Sequence, residues 1–251
     1  MKQSFAWWSF GRDAGPETLL KAAAALGFDG VELIEEDYFP LVQQHGLTLA
    51  THRAHSSLEQ GLNQQANHTG IFKEVEANLK LATRWNIPVL ICFSGNRNGI
   101  SDEEGIEVTA AGLRHIAPLA DAAGVTVVLE LLNSKIDHPD YHCDRTRFGV
   151  EIIERVASPN VKLLYDIYHM QIMEGDIVRT IREHHAHFGH YHTAGNPGRQ
   201  DLDDEQELNY SSIFRAIRDT GYQGYVGHEF IPKGETETAL RAAFTLCDQS
   251  R

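Results

Sequence analysis

The chain of 251 residues is short of positive charge and has no long hydrophobic run. Its 22 Lys and Arg residues stand against 35 Asp and Glu residues, which gives a net charge of −13 with histidine neutral. Proteins that bind nucleic acid or an anionic membrane surface need clustered cations, so this balance argues against both kinds of partner. No apolar run approaches the ~20 residues that span a bilayer.

Cysteine is also scarce. Cys92, Cys143 and Cys247 are far apart and form neither a CxxC pair nor a disulfide framework. The apolar stretch within residues 1–8 is too short for a signal peptide, so we expect a reducing, cytoplasmic location. What the chain does contain is a hydrophobic fraction of 42%, which suffices for a large core, and 14 histidines, which raise the question of a metal.

Short β-rich runs alternate with longer helical patterns along the chain, which is typical of parallel βα units. Strands are predicted over residues 4–8, 30–34, 47–51, 89–93, 125–130, 161–166, 187–192 and 225–229. Helices are predicted over residues 16–26, 38–45, 71–85, 102–123, 147–156, 176–185, 210–220 and 237–247. Eight of each in about 250 residues indicates a (β/α)8 TIM barrel. No Pro- or Ser-rich linker interrupts the pattern, so we expect one domain over residues 1–251.

A doubly wound parallel sheet is the alternative fold for this alternation. It predicts a glycine-rich phosphate loop directly after the first strand. Residues 10–15 occupy that position here and do not match the GxGxxG pattern. The TIM barrel is therefore the preferred fold.

Four neighbouring strands of the predicted barrel end in side chains that bind metals. They are the fifth at Glu130, the sixth at Asp166, the seventh at His192 and the eighth at Glu229. The carboxyl ends of barrel strands meet at one mouth, where enzymes with this fold have their active sites. Three carboxylates gathered there would suffer desolvation and mutual repulsion, and a divalent cation removes both conflicts.

An oxygen-rich donor set with one imidazole suits Mn²⁺, Mg²⁺ or Co²⁺, with Zn²⁺ as a further option. Any single strand-end carboxylate can instead be a helix N-cap or the partner of a cation, but three carboxylates and a histidine on four consecutive strands are poorly explained in that way. Glu130 and Glu229 should face each other across the pocket. We therefore expect them to move a proton next to the carbonyl of a keto sugar while the metal stabilises the enediolate.

Two further residues follow the strands at the same mouth. His169 comes three residues after Asp166 and is a candidate donor to a substrate oxygen, although it can also be a solvent-facing residue at a helix start. Arg199 lies in a Gly- and Pro-containing loop after the seventh strand. It can fold back over the pocket as a fixed cation or pair with Asp201 or Asp203 on the surface.

Other candidates are less specific. Trp8, at the end of the first predicted strand, is either a stacking platform for a sugar or an ordinary core residue. His52 and His55 follow the third strand, and spacing does not decide which of them reaches the pocket, although His55 is the one assigned to substrate binding. Glu32, inside the second strand, is expected to be a buried and hydrogen-bonded structural group. His228 should point toward the helices, because strand residues alternate in direction.

Three segments resemble the hydroxypyruvate isomerase branch of the xylose isomerase-like TIM barrels, whose wider kin are sugar phosphate isomerases and epimerases. They are DIYHMQ at 166–171, GHYHTAGNPGR at 189–199 and GHEF at 227–230. The resemblance covers nearly the whole chain. It implies one divalent metal bound by Glu130, Asp166, His192 and Glu229, with the two glutamates as the acid and base. It also implies substrate contacts from His169 and Arg199.

The resemblance implies an isomerase or epimerase of a small keto or aldo sugar or of a hydroxy-keto acid. Characterised hydroxypyruvate isomerases often carry Gln where this chain has His192, and ketose epimerases tend to place a substrate-binding Glu near Ile136 and Asp137. The substrate therefore stays open. The alternatives are a lyase acting on 3-keto-glycosides, an apurinic endonuclease-like nuclease and a non-catalytic sugar-binding subunit. Dimers and tetramers are common in the family, so a homo-oligomer is compatible with the sequence.

Overall fold

A computed structural model of the chain describes residues 1–11 and 15–249. Eight parallel strands pair in chain order, and the eighth pairs with the first, so the sheet closes into a barrel. The strands are β1 (Lys2–Ala6), β2 (Gly30–Glu32), β3 (Thr48–Arg53), β4 (Val89–Cys92), β5 (Thr126–Glu130), β6 (Val161–Asp166), β7 (Phe188–Thr193) and β8 (Tyr225–His228). The predicted TIM barrel is confirmed. Residues 12–14, inside the segment compared with a phosphate loop, lie outside the described residues.

Helices follow the strands and surround the barrel. They are α1 (Trp7–Phe10), α2 (Pro16–Leu26), α3 (Phe39–Gln44), α4 (His68–Trp85), α5 (Asp102–Ala123), α6 (Thr146–Val156), α7 (Ile167–Met173), α8 (Ile177–His184), α9 (Tyr210–Asp219) and α10 (Thr236–Gln249). None of the helices in the described ranges combines the length and the apolar character that a membrane crossing needs.

Helix α5 begins and ends at residues that favour a helix boundary. The Ser101 side chain accepts a hydrogen bond from the Glu104 backbone N–H and caps the start of α5. At its end, Gly124 adopts the left-handed conformation, with φ of 65°, which glycine reaches without a steric penalty. The helix therefore stops one residue before the apolar run that becomes β5.

Two short helices were not predicted, and both affect the site. The run 4–8 reads as one strand, but β1 ends at Ala6 and Trp7 begins α1. The turn is closed locally, because the Ser9 hydroxyl donates to the Ala6 carbonyl at 2.9 Å. Helix α7 begins directly after Asp166, whose side chain accepts from the His169 backbone N–H at 3.1 Å. Asp166 is thus a helix N-cap as well as a strand-end carboxylate.

Alternation along the strands separates the helix-facing core from the barrel interior. A small buried cluster fills the interior, namely Val89, Ile91, Val128 and Leu164. Helix-facing neighbours such as Leu129 and Leu163 belong to the larger outer core. Glu130 is two residues after Val128, so its side chain projects from the same face, just above the apolar layer. The same relation holds for Asp166 and Leu164.

This apolar layer supports the mouth, so truncating it should destabilise the barrel. We expect Leu164→Ala to lower the free energy of unfolding by about 2–5 kcal/mol, because Leu164 is fully buried and its loss leaves a cavity. Ile136→Ala is the control: its side chain is 68% exposed, and such changes usually stay within about 0.5 kcal/mol. Urea unfolding of both variants measures the difference. Equal losses would contradict the interior position of Leu164.

Candidate functional site

The four strand-end side chains converge on one point above the apolar layer. Each of Glu130, Asp166, His192 and Glu229 offers one ligand atom, and these atoms all lie within 4.8 Å of one another. All four residues are at most 5% exposed. Their convergence follows from the topology, since β5 to β8 are consecutive neighbours in the barrel and Glu229 directly follows β8. We call these four residues the carboxylate cluster.

His192 lies in the centre of the carboxylate cluster. Its Nδ1 is 3.2 Å from Glu229 Oε2, 3.4 Å from Glu130 Oε1 and 4.0 Å from Asp166 Oδ2. This buried nitrogen has no hydrogen-bond partner among the described residues. The imidazole therefore presents a ring nitrogen to the same point as the three carboxylates.

The electrostatics of the cluster show an excess of buried negative charge. Burial raises the pKa of the Asp166 carboxyl to about 7, and the Glu229 and Glu130 carboxylates add to this rise against the opposing pull of Arg199 and His192. Burial alone would lower the pKa of His192, but the carboxylates around it raise that pKa well above its ordinary value. Both shifts indicate a site that favours bound positive charge.

Glu32 orients His192 from the opposite side. His192 Nε2 lies 3.0 Å from Glu32 Oε2, so the ring can donate there and keep Nδ1 for the cluster. Metal-binding histidines commonly donate their second ring N–H to a carboxylate in this way. The donor chemistry, the burial and the orientation of His192 together fit one divalent cation.

Glu32 itself is fully buried and held by several donors, as its position inside β2 predicted. It accepts from the Ser4 hydroxyl, from the Thr51 hydroxyl at 3.0 Å and from His190 Nε2 at 3.1 Å. Burial opposes its ionisation, but the His190 and His192 imidazoles hold the pKa of Glu32 well below its usual range. The contact between β2 and β7 was not predicted, because no local pattern shows which residues meet across a barrel.

Gly227 leaves the space that this pair of side chains occupies. A Cβ atom at Gly227 would lie 2.1 Å from Glu32 Oε1 and 2.9 Å from His192 Cδ2. Both distances are far inside van der Waals contact, and Glu32 has no free direction in which to retreat. Glycine in β8 is therefore a condition for the orientation of His192.

Arg199 reaches the carboxylate cluster and does not turn to the surface. Its Nη2 lies 2.6 Å from Glu229 Oε2 and 3.8 Å from Asp166 Oδ2. The guanidinium stacks over the rings of Trp8 and Tyr168, at 5.2 Å and 5.5 Å from their centroids. Its Nε is buried without a hydrogen-bond partner among the described residues. Arg199 thus neutralises one carboxylate and keeps a donor for another group.

The surface alternative for Arg199 is not adopted. Asp203 instead accepts from Lys233 Nζ at 2.8 Å, and Asp201 accepts from the Lys233 backbone N–H at 2.7 Å. The backbone of Arg199 is also fixed, because the Ile231 backbone N–H donates to the Arg199 carbonyl at 2.8 Å.

Trp8 contacts the site from helix α1. Its indole Nε1 donates to Glu229 Oε1 at 2.7 Å, and the side chain is half-buried. The strand-end position predicted for Trp8 is wrong, because β1 ends two residues earlier. Its helical position nevertheless brings the indole to the same mouth, where it holds Glu229 and lies against Arg199.

His169 is also at the mouth, in the first turn of α7. It is fully buried, and its Nε2 lies 3.7 Å from Asp166 Oδ2. The solvent-facing alternative is therefore wrong. The loop 133–138 after β5 was not assigned to the site from the sequence, yet it packs against this ring: His138 lies 5.3 Å from His169 between centroids. The length of the segment between β5 and α6 was the signal that could have found it.

The remaining histidines do not join the carboxylate cluster. His55 Nε2 accepts from the Phe93 backbone N–H at 3.0 Å, and the His52 ring packs edge-on against Phe39. Within the described residues, neither is hydrogen-bonded or ion-paired to the four cluster residues. The ring of His228 points to the helix layer, as alternation predicts, and packs against Phe28 and Phe214.

The chain resembles known proteins in both sequence and fold. Residues 20–247 match the family described as xylose isomerase-like TIM barrel. Hydroxypyruvate isomerase from Escherichia coli K12 is 30% identical over 87% of this chain and 89% of that protein. 2-Oxo-tetronate isomerase from Cupriavidus necator is 36% identical over 56% of this chain and 54% of that protein. A crystal structure described as AP endonuclease, family 2, from Brucella melitensis is 29% identical, with a TM-score of 0.87 over 98% of both chains.

The contact between Glu32 and His192 can be tested through metal affinity. We expect Glu32→Gln to weaken Mn²⁺ binding by about 10- to 100-fold, because a neutral amide supports the ligand nitrogen less than a carboxylate does. Glu107→Gln, which changes a surface glutamate paired with Arg114, should leave the affinity unchanged. Titration calorimetry of both variants, with circular dichroism to verify folding, measures the effect. A folded Glu32→Gln variant with wild-type affinity would show that Glu32 is only structural.

Proposed function

Because the chain belongs to the xylose isomerase-like TIM barrel family, in the hydroxypyruvate isomerase branch, we propose that it is a metal-dependent isomerase of a small 2-oxo hydroxy acid. The family and the isomerase class predicted from the sequence are confirmed by these relatives. The observation that carries the mechanism is the convergence of four buried ligand atoms within 4.8 Å. The substrate class follows the relatives, since hydroxypyruvate and 2-oxo-tetronate are both small 2-oxo acids.

The metal-binding part of the proposal rests on the carboxylate cluster. Glu130, Asp166, His192 and Glu229 would hold one divalent cation, with Mn²⁺, Mg²⁺ and Co²⁺ suited to the oxygen-rich donors and Zn²⁺ a further option. When bound, the cation supplies charge stabilisation for the oxygen that becomes negative as a neighbouring carbon loses its proton. The other steps fall to side chains of the protein.

Two glutamates with different surroundings divide the proton transfer. Burial opposes ionisation of Glu229, but His192 and Arg199 hold its pKa well below the usual range, and Trp8 donates to it as well. Within the described residues Glu130 has no hydrogen bond from Trp8 or Arg199, and its near neighbour is His192, whose Nδ1 lies 3.4 Å from Glu130 Oε1. We therefore assign the transfer of the carbon-bound proton from C3 to C2 to Glu130. Glu229, an anion that can accept and release a proton, is assigned the transfer of the hydroxyl proton from O3 to O2.

For hydroxypyruvate the transfer is balanced within one molecule. The C3–H bond breaks, the carbon-bound proton returns at C2, and a hydroxyl proton moves from O3 to O2. The product is the corresponding aldehyde. Return of the proton to the opposite face of the same carbon would instead epimerise a larger substrate, which is why related barrels can serve both reactions.

Arg199 supplies the contact for the acid group of the substrate. Its Nη2 is engaged with Glu229, while its Nε is a buried N–H with no partner among the described residues. A guanidinium binds carboxylates through several donors in a fixed plane, and the stacked Trp8 and Tyr168 rings keep that plane in place. The remaining donors of Arg199 therefore suit one carboxylate.

The alternative functions differ from an isomerase in the chemistry that each requires. A lyase acting on 3-keto-glycosides would begin with the same proton removal but release a leaving group. A nuclease is opposed by the net charge of −13, because phosphate-backbone binding depends on cations. A non-catalytic sugar-binding subunit would exchange no substrate proton at all.

Deuterium exchange tests the proton transfer. Hydroxypyruvate incubated with the protein and Mn²⁺ in D₂O should take up deuterium at C3 and form the aldehyde. We expect Glu130→Gln to slow C3 exchange by about 10² to 10⁴, because the first base is lost. Glu229→Gln should retain C3 exchange and lose conversion.

Nuclear magnetic resonance and mass spectrometry measure both outcomes, and metal analysis of each variant serves as the control. No exchange by metal-loaded wild-type protein, with hydroxypyruvate or with a panel of sugars, sugar acids and 3-keto-glycosides, is the result that would overturn the proposal.

A substitution at Arg199 tests the substrate class. Arg199→Lys keeps the charge and removes the Nε donor, so we expect kcat/KM for hydroxypyruvate to fall by about 10- to 100-fold, the loss of a hydrogen bond to a charged group. Deuterium exchange into dihydroxyacetone, which lacks the carboxylate, should change much less. Equal losses with both compounds would place Arg199 away from the acid group.

A further inference from the structure

We infer that Asn133 is a positioning residue that fixes the tautomer of His169, so that His169 Nε2 carries a proton and donates a hydrogen bond to a substrate oxygen. This inference rests on the proposed function for its catalytic meaning. Neither the sequence patterns nor the family resemblance singled out Asn133. The structure places it, fully buried, three residues after Glu130.

The orientation of the Asn133 amide is determined by its neighbours. Its Oδ1 accepts two backbone hydrogen bonds, from the N–H groups of Ile136 and Asp137, each at 2.9 Å. Its Nδ2 donates to Asp137 Oδ2 at 2.7 Å. A flipped amide would place its oxygen against the Asp137 carboxylate and its NH₂ group against two N–H donors. Three contacts therefore select one orientation.

The second proton on Asn133 Nδ2 points to His169. The distance from Asn133 Nδ2 to His169 Nδ1 is 2.6 Å. Since the amide nitrogen can only donate, Nδ1 must accept, and an imidazole that accepts at Nδ1 is neutral and carries its proton on Nε2. The amide thus selects one of two tautomers that differ little in energy when free.

His169 Nε2 is the atom left for chemistry. It is buried with no hydrogen-bond partner among the described residues and lies 3.7 Å from Asp166 Oδ2, a distance too long for a good hydrogen bond. A buried N–H without a partner costs free energy, which a ligand oxygen at the carboxylate cluster would recover. The His169 backbone is fixed as well, because its N–H donates to Asp166 Oδ1 at 3.1 Å.

A donor at this point matters most when a substrate oxygen gains negative charge. The wrong tautomer would present a lone pair to that oxygen and repel it. Removing one preorganised donor from a developing oxyanion costs about 10²- to 10³-fold in kcat. We therefore expect the Asn133 contact to act on kcat more than on KM.

The tautomer can be measured directly in the wild-type protein. Long-range ¹H–¹⁵N correlation spectra of the Mg²⁺-loaded protein, with His169 assigned by comparison with His169→Gln, should show a pyridine-type shift at Nδ1 and a pyrrole-type shift at Nε2. A pyrrole-type Nδ1, or two protonated nitrogens, would overturn the inference. This measurement does not depend on any activity, so it separates a wrong tautomer from a wrong proposed function.

Asn133→Asp inverts the contact. One carboxylate oxygen can still accept from the Ile136 and Asp137 backbone. The other lies between Asp137 Oδ2 and His169 Nδ1, and a proton on His169 Nδ1 relieves the repulsion between the two carboxylates. We expect kcat for hydroxypyruvate with Mn²⁺ to fall by about 10²-fold, with a smaller change in KM. A glutamine side chain has no tautomers, so in the His169→Gln background we expect Asn133→Asp to lower kcat much less. The effects of the two substitutions on kcat should therefore be non-additive in a double-mutant cycle.

Asn63→Asp is the matched control. Asn63 is also buried and its Nδ2 lies 3.1 Å from the His142 ring, outside the carboxylate cluster. It should reduce thermal stability without a comparable loss of kcat. If Asn133→Asp and Asn63→Asp lower kcat equally, or if Asn133→Asp costs as much in the His169→Gln background, Asn133 has only a structural role.

Discussion

The repulsion among three buried carboxylates is the constraint on which the rest of the site depends. Glu130, Asp166 and Glu229 meet at one point because the barrel brings consecutive strand ends together, not because the side chains attract one another. Such an arrangement persists only with compensating positive charge. His192 and Arg199 supply part of it, but burial, and after it the Glu229 and Glu130 carboxylates, still raise the pKa of Asp166. The divalent cation proposed above would complete the balance without further residues.

The side chains at and around the carboxylate cluster are held in place by contacts with further side chains. Glu32 fixes His192, and the hydroxyls of Ser4 and Thr51 together with His190 fix Glu32. Trp8 and Tyr168 fix the plane of Arg199. The rigidity of the site therefore comes from the barrel strands and not from the loops alone, which favours a fixed geometry for a short-lived anion.

The sequence predicted what depends on local pattern and missed what depends on distance across the barrel. The carboxylate cluster was predictable because each member lies within one residue of the end of a strand, and strand ends share one edge. The contact of Glu32 with His192 joins β2 to β7, which no spacing encodes. Trp8 was misplaced because a run of aromatic residues favours a strand, while one hydroxyl, that of Ser9, closes a helical turn there.

Two uncharged side chains at the mouth, Trp8 and His169, suit the anionic substrate proposed above. The indole of Trp8 donates to Glu229 Oε1, whereas His169 Nε2 has no partner among the described residues and is a free donor in the tautomer inferred above. A lysine or a second arginine in their place would bind the carboxylates more strongly and would compete with the proposed metal. Neutral donors would stabilise a developing oxyanion and leave a bound cation the strongest positive charge in the site. The tautomer inferred for His169 thus supplies a donor without changing the charge balance of the carboxylates.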